Sequence, residues 1–132
     1  MAVSEETADR RASGILDTNA VIHLADLPPQ HLPLNAMTTT VTLAELSVGP
    51  LTAPTEVVAA ERQAHLQLAE DDFEPLLFDV AAARAFGRVS ASLRRAGRKA
   101  HSRTFDAMIA AIAIAGGLPL YTCNPRDFEG ID

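Results

Sequence analysis

The sequence predicts an α/β protein with a central, mostly parallel sheet of four to five strands and helices on both faces. Three observations predict it. Short apolar runs alternate with helical stretches along the chain, the pattern of a parallel sheet whose crossovers are helices. Caps and breakers fall between the two kinds of segment: Asp17-Thr18-Asn19, Gly49-Pro50, Gly97 and Gly116-Gly117. One helical stretch, Phe105 to Ala115, is apolar nearly all round, so it belongs buried on several sides.

Taken in order, residues 1–13 form a charged tail with little apolar content, and residues 14–132 form a single domain. Gly14-Ile15-Leu16 is a short strand, and Asp17-Thr18-Asn19 is turn and cap chemistry before a helix over Ala20 to Leu24. Leu27-Pro28-Pro29 breaks that helix. Met37-Thr38-Thr39 is a second strand. Thr42 and Glu45 have capping-box spacing at the head of the next helix, which Gly49-Pro50 ends. Thr55 to Glu70 is amphipathic, with Val58, Arg62, His65, Leu66 and Ala69 at helical spacing. Leu76-Leu77-Phe78 is a third strand. Asp79 caps a helix over Val80 to Ala96, with Ala82, Phe86, Val89 and Leu93 on one face and Gly97 as its stop. Thr104 caps the apolar helix, and Leu118 to Thr122 is the fourth strand.

Composition bounds the function classes. The chain has 132 residues, 48% hydrophobic and 21% charged, enough for a domain that hides roughly 70% of its unfolded surface. One cysteine, Cys123, excludes an internal disulfide framework and suits a reducing compartment; it reads as a small buried hydrophobe. No secretory signal is visible, and the apolar run Ala107 to Ala115 falls far short of the roughly 20 residues of a membrane span. The expectation is a cytoplasmic protein without membrane contact. Net charge is −6, which alone argues against nucleic-acid binding. The distribution argues the other way. Between Val80 and Phe105 there is no acid, and Arg84, Arg88, Arg94, Arg95, Arg98, Lys99 and Arg103 supply seven of the eleven basic residues. Arg94, Arg95, Arg98, Lys99 and Arg103 crowd the approach to Asp106, where they suit an RNA backbone. A solvated helix face is the alternative reading of the same segment.

The carboxylates carry the chemistry. Ligands of an open parallel sheet bind beyond the carboxyl ends of its strands. Asp17 ends the first strand, Glu45 and Asp106 fall in first turns of helices, and Asp127 follows the fourth strand, so all four map to that edge. Asp79 maps there too but reads as a helix cap. Glu70, Asp71, Asp72 and Glu74 precede the third strand and map to the opposite edge. Clustered carboxylates repel one another, and hard cations such as Mg²⁺ or Mn²⁺ are the ligands that repay such clustering. Metal-activated water can then attack phosphorus without a His, Cys or Ser nucleophile. Each acid also has an ordinary reading: Asp17 as a helix cap, Glu45 as half of a capping box, Asp106 as complement to a helix dipole, Asp127 as a loop residue. Their convergence on one edge lifts the functional reading. Thr18, Asn19 and Thr122 are placed to orient the acids or to make ordinary turn contacts. The four histidines, His23, His31, His65 and His101, lack zinc-type spacing; His101 and Ser102 lie near Asp106.

Four segments together resemble the PIN domain: Ile15-Leu16-Asp17-Thr18-Asn19, Thr42-Leu43-Ala44-Glu45-Leu46, Phe105-Asp106-Ala107-Met108-Ile109-Ala110-Ala111 and Tyr121-Thr122-Cys123-Asn124-Pro125-Arg126-Asp127-Phe128. They appear in family order and span nearly the whole chain, and the resemblance is in particular to VapC-type toxins. The resemblance implies a three-layer α/β/α fold and a Mg²⁺- or Mn²⁺-dependent endoribonuclease that cleaves RNA by attack of a metal-bound water, leaving a 5′-phosphate. It implies a toxin of a toxin–antitoxin pair, a homodimer, and a VapB-like antitoxin in a hetero-oligomer. Asp17 and Asp106 match the metal-binding aspartates, Glu45 the acid between them, and the fourth position falls on Asn124 or Asp127. The alternatives are a PIN-type nuclease of RNA processing, a non-catalytic RNA- or protein-binding module of the same fold, and an aspartyl phosphatase. For the last, Asn19 stands where a second aspartate is usual.

Overall fold

The computed structural model describes residues 13–98, 103–129 and 131, apart from the side chain of Asp127. The tail expected before residue 13 lies outside these, as do Lys99, His101 and Ser102.

Among the described residues four strands form one sheet: β1 (Ser13–Leu16), β2 (Asn35–Thr39), β3 (Pro75–Leu76) and β4 (Leu120–Tyr121), in the order β3-β2-β1-β4. Every pairing is parallel, with Ile15 opposite both Met37 and Leu120, and Thr39 opposite Leu76. The order reverses direction at β1, so the crevice beyond its carboxyl end is a switch point of the kind that binds ligands.

Strand alternation sorts the core into two halves. Ile15, Met37 and Leu120 pack on one face with Ala82, Ile109, Ile112 and Ala113. Leu16, Ala36 and Tyr121 pack on the other with Ala20, Val21, Leu46 and Ala69. The first set comes from α4 (Val80–Arg95) and α5 (Thr104–Gly116). The second comes from α1 (Thr18–Ile22), α2 (Thr40–Leu51) and α3 (Glu56–Asp72). The three-layer α/β/α architecture follows directly. Helix α5 buries Ala107 and every residue from Ile109 to Ala113, as its all-round apolar sequence predicts.

Gly14 fixes how β4 meets β1. A Cβ there would lie 2.5 Å from Cε1 of Tyr121, so the missing side chain is what lets the buried Tyr121 ring lie across the strand. Helices α4 and α5 each end on a left-handed glycine, Gly97 (φ 77°) and Gly117 (φ 64°). The N–H groups of Arg98 and Leu118 return to the carbonyls of Leu93 and Ala113, completing Schellman ends.

Several boundaries differ from the sequence expectation. Helix α1 starts at Thr18, directly after Asp17, and gives way to a 3₁₀ turn over Leu24–Asp26. Helix α2 starts at Thr40, because Thr39 is the last extended residue of β2 and its hydroxyl accepts from the Thr42 N–H at 3.1 Å. Thr42 is therefore not the cap, and Glu45 lies in the second turn. The same helix runs through Gly49-Pro50 to Leu51, since a proline in the last turn forfeits only one backbone hydrogen bond. Thr55 caps α3 from outside rather than beginning it. Thr104 is the first residue of α5, and Arg103 holds the cap position with no side-chain cap bond. Strands β3 and β4 are each two residues long, shorter than their apolar runs suggest, because Leu77 onward turns into the α4 cap and Gly117-Leu118-Pro119 is still returning from α5.

Helices α4 and α5 run antiparallel: Ala82 packs with Ile112 and Ala113, while Leu93 packs with Ala107. This carries the end of α4, with Arg94 and Arg95, toward the start of α5 and Asp106. It also separates Asp79, a cap as expected, from Asp106. Asp79 caps α4 through the Ala82 N–H beside Ala115, Gly116 and Leu118 at the far end of α5, away from Asp106.

Candidate active site

The site is built where β1 runs out. Asp17 is 2% exposed, and its two oxygens have different tasks. Oδ1 accepts from the Ala20 N–H at 2.8 Å and caps α1. Oδ2 accepts from the Thr122 hydroxyl at 2.5 Å. The cap reading and the site reading thus fit the same side chain. Parallel pairing of β1 with β4 brings Thr122 there, one residue past the Leu16–Tyr121 pair. Thr122 in turn accepts from the Asn124 N–H at 3.0 Å, so a single hydroxyl fixes both the carboxylate and the start of the following loop.

Glu45 enters from α2. Its Oε1 accepts from the Thr18 hydroxyl at 2.5 Å. Thr18 also lies 3.1 Å from the Thr42 hydroxyl. Since the Thr18 proton is committed to Glu45, Thr42 donates in that contact. Thr39 donates to Thr42 at 3.4 Å, a weaker last member of the chain. Three hydroxyls therefore point the same way, toward the Glu45 carboxylate. Burial drives the Glu45 carboxyl above the usual 4.5; the Thr18 hydrogen bond opposes this, and the Asp17 charge adds to it. Those causes place Glu45 within electrostatic reach of Asp17. They also remove the capping-box reading, because a second-turn Glu45 held by Thr18 is no cap.

Asp106 lies in the first turn of α5, with its Oδ2 4.0 Å from Nη1 of Arg103. The backbone of Asp127 belongs to a 3₁₀ turn over Pro125–Phe128 that follows Asn124. The expected role of its side chain lies outside the described residues. Of the basic residues, Arg94 is exposed at the end of α4 and Arg95 beside it is exposed too. Arg98 is held at two points. It pairs with Glu129 at 3.2 Å and donates to the Arg126 carbonyl at 3.0 Å, tying the end of α4 to the loop after β4. Asn19 is exposed on α1. Cys123 is half-buried beside Leu16 and Tyr121, and burial, with the Asp17 charge, pushes its thiol up. That keeps it protonated and unreactive.

Among the described residues no three of His, Cys, Asp and Glu stand grouped as a ready metal site. The donors present are nonetheless the right kind. Carboxylate oxygens are what Mg²⁺ and Mn²⁺ take, and Mg²⁺ keeps several waters of its own rather than requiring an all-protein cage. A buried Asp17 carboxylate whose charge already burdens Glu45 is a place where a divalent cation relieves repulsion.

Beside Thr18 and Glu45 a cavity of about 260 Å³ opens between α1, α2 and α3. Its α3 wall is made by Arg62 and His65. The sequence marks both residues only as members of a helix face, and helical spacing alone gives no sign that they neighbour the acids.

Residues 14–132 match the PIN domain family. The chain is 39% identical over 124 residues to Ribonuclease VapC5 of Mycobacterium tuberculosis (strain ATCC 25618 / H37Rv), covering 92% of this chain and 89% of that protein. Among solved structures it is similar to a member of the VapBC family of toxin–antitoxin systems, VapBC-5 from Mycobacterium tuberculosis. That match has a TM-score of 0.73 and 41% identity over 83% of this chain and 82% of the other. The fold is shared with VapBC2 from Rickettsia felis, at TM-score 0.71 and 22% identity over 91% and 93% of the two chains.

Proposed function

The chain belongs to the PIN domain family, and from its likeness to VapC-type proteins we propose that it is an endoribonuclease acting as the toxin of a toxin–antitoxin pair. The observation that carries this reading is the buried Asp17 carboxylate at the switch point of the sheet, aimed by Thr122 and set against Glu45. The family match favours phosphodiester cleavage over the aspartyl-phosphatase alternative.

Asp17, Glu45 and Asp106 would hold a Mg²⁺ or Mn²⁺ ion, with Asn124 or Asp127 supporting it or the substrate. Bound there, the ion would neutralise charge on the scissile phosphate and lower the proton affinity of water. The chain's own residues do the rest. Thr122 and the α1 N-terminus hold Asp17 in one rotamer. Thr18 holds Glu45 by Oε1, which leaves Oε2 to complete the shell or to position the attacking water. Arg94 and Arg95 steer the RNA backbone toward Asp106, helped by Lys99 and Arg103. The partner is a VapB-like antitoxin that covers this edge, within a homodimeric toxin and a toxin–antitoxin hetero-oligomer. An RNA substrate puts the work in the cytoplasm. No helix among the described residues is long and apolar enough to cross a membrane.

The test is incubation of purified protein with structured RNA in Mg²⁺ or Mn²⁺, with EDTA as control. Cleavage should leave 5′-phosphates and stop in EDTA, in Asp17→Ala and in Asp106→Ala. Cleavage that persists in either variant would sink the assignment.

A further inference from the structure

The cavity between α1, α2 and α3 shares Thr18 and Glu45 with the acidic centre. Its construction is specific. Gly49 on α2 meets the stem of Arg62 so closely that a Cβ would lie 3.2 Å from Arg62 Cδ. The glycine thus lets the arginine lie flat on the helix. The Gly49 carbonyl then accepts from Arg62 Nη1 at 3.0 Å. Arg62 is therefore pre-positioned at the cavity wall by a neutral acceptor, and no carboxylate among the described residues pairs with it. A half-buried guanidinium held this way has four further N–H donors to offer, in a planar fork that suits base edges as well as phosphates. His65, one helical turn further along α3, is half-buried on the same wall. Ile22 and Leu46 give the cavity an apolar side, against which a flat ring can rest.

We propose that this cavity is a nucleobase pocket that takes one base of the RNA next to the cut, with Arg62 and His65 as its specificity residues. The inference rests on RNA being the substrate. The volume, about 260 Å³, lies just below the range of roughly 300–1,000 Å³ typical of drug-sized ligands, so it suits one base rather than a longer stretch of chain. The mixture of an aligned guanidinium, an imidazole, the Asn19 amide and an apolar wall is that of a site reading a splayed-out base in single-stranded RNA. A peptide side chain of a protein partner is the competing occupant. The direct opening onto Glu45 favours the base, because a nucleotide adjoining the scissile phosphate must lie there.

The test is cleavage and binding of a randomised single-stranded RNA pool by the full chain, by Arg62→Met and by His65→Gln, with cut ends read by sequencing. Methionine keeps the stem that packs on Gly49, and thermal melting verifies that each variant folds. The wild type should show a base preference at one position beside the cut. Either variant should flatten it and raise KM about tenfold, the size of one good base contact, with a smaller change in kcat. Folded variants with unchanged preference and KM overturn the pocket. So does a variant that loses only its affinity for the antitoxin. A wild type that binds RNA with base preference but never cuts it leaves the pocket standing and removes the nuclease reading; one that does neither removes both.

Discussion

The Thr122 hydroxyl donates to Oδ2 of Asp17 at 2.5 Å, joining residues 105 positions apart in the chain. It ties the segment after the last strand to the end of the first, and it decides which way the buried carboxylate faces. Groups that orient a ligand in this way typically matter about 10–100-fold in metal affinity or activity. Thr122→Val should lower Mn²⁺ affinity by about that factor and cost about 1–3 kcal/mol of stability by removing the charge-assisted bond. Thr122→Ser should restore both. Titration calorimetry and urea unfolding measure the pair, and equal losses in the Ser and Val variants would rule out an orienting hydroxyl.

Asp17 has two duties that substitution can separate. Asp17→Asn keeps an oxygen for the Ala20 N–H and so keeps the α1 cap, but loses the charge. Asp17→Ala loses both, at a further cost of about 1 kcal/mol for the cap. Both variants should abolish RNA cleavage, while Asp17→Ala melts at a lower temperature than Asp17→Asn, which keeps the cap. Cleavage by a well-folded Asp17→Asn protein is the result that contradicts this.

Glu45 should make stability depend on pH in a known direction. Its folded-state carboxyl is raised above 4.5, first by burial. Folding is therefore favoured by protonation: this contribution is fully present below 4.5 and is lost as pH rises through the raised value. In EDTA, Glu45→Gln should be more stable than wild type at neutral pH, and the gap should close as pH falls through the raised value toward 4.5. Denaturation midpoints across that range measure it. A gap independent of pH would mean that Glu45 is not held in a costly ionised state.

Gly14 is required by Tyr121. A Cβ 2.5 Å from the ring edge forces either β1 or the ring to move. Gly14→Ala should therefore destabilise by about 1–3 kcal/mol, the usual cost of overpacking. Gly87, where a Cβ meets nothing within 4 Å, is the control: Gly87→Ala should be neutral or stabilising in α4. Equal melting temperatures for the two variants would remove the role assigned to Gly14.

The arginines at the end of α4 can be tested apart. Arg94→Ala with Arg95→Ala should weaken RNA binding and reduce the salt dependence of log K by about 0.7 for each phosphate no longer neutralised. Arg98→Ala should instead loosen the loop after β4, because Arg98 is tied to Glu129 and the Arg126 carbonyl. Affinity measured across a salt series distinguishes them; an unchanged slope in the double variant would show that these residues do not meet phosphate.

The sequence by itself determined the layers. Alternating short strands and helices, and an α5 apolar all round, leave a parallel sheet covered on both faces as the arrangement that buries them. It also placed Asp17 and Glu45 at one sheet edge, since that follows from strand direction alone. Only the tertiary structure decided what each acid touches. Thr39 displaced Thr42 as the cap of α2 because β2 stays extended to that residue, which moved Glu45 into the second turn and into the reach of Thr18. The antiparallel α4–α5 pair moved Asp79 away from Asp106. Thr122 met Asp17, and Arg62 and His65 came to neighbour Glu45, through pairings between distant segments. Local propensity and periodicity record which face a residue is on. The register of β4 on β1 and the approach of α3 to α2 at Gly49 are set by packing across the core, and that is where the site acquired its orientation.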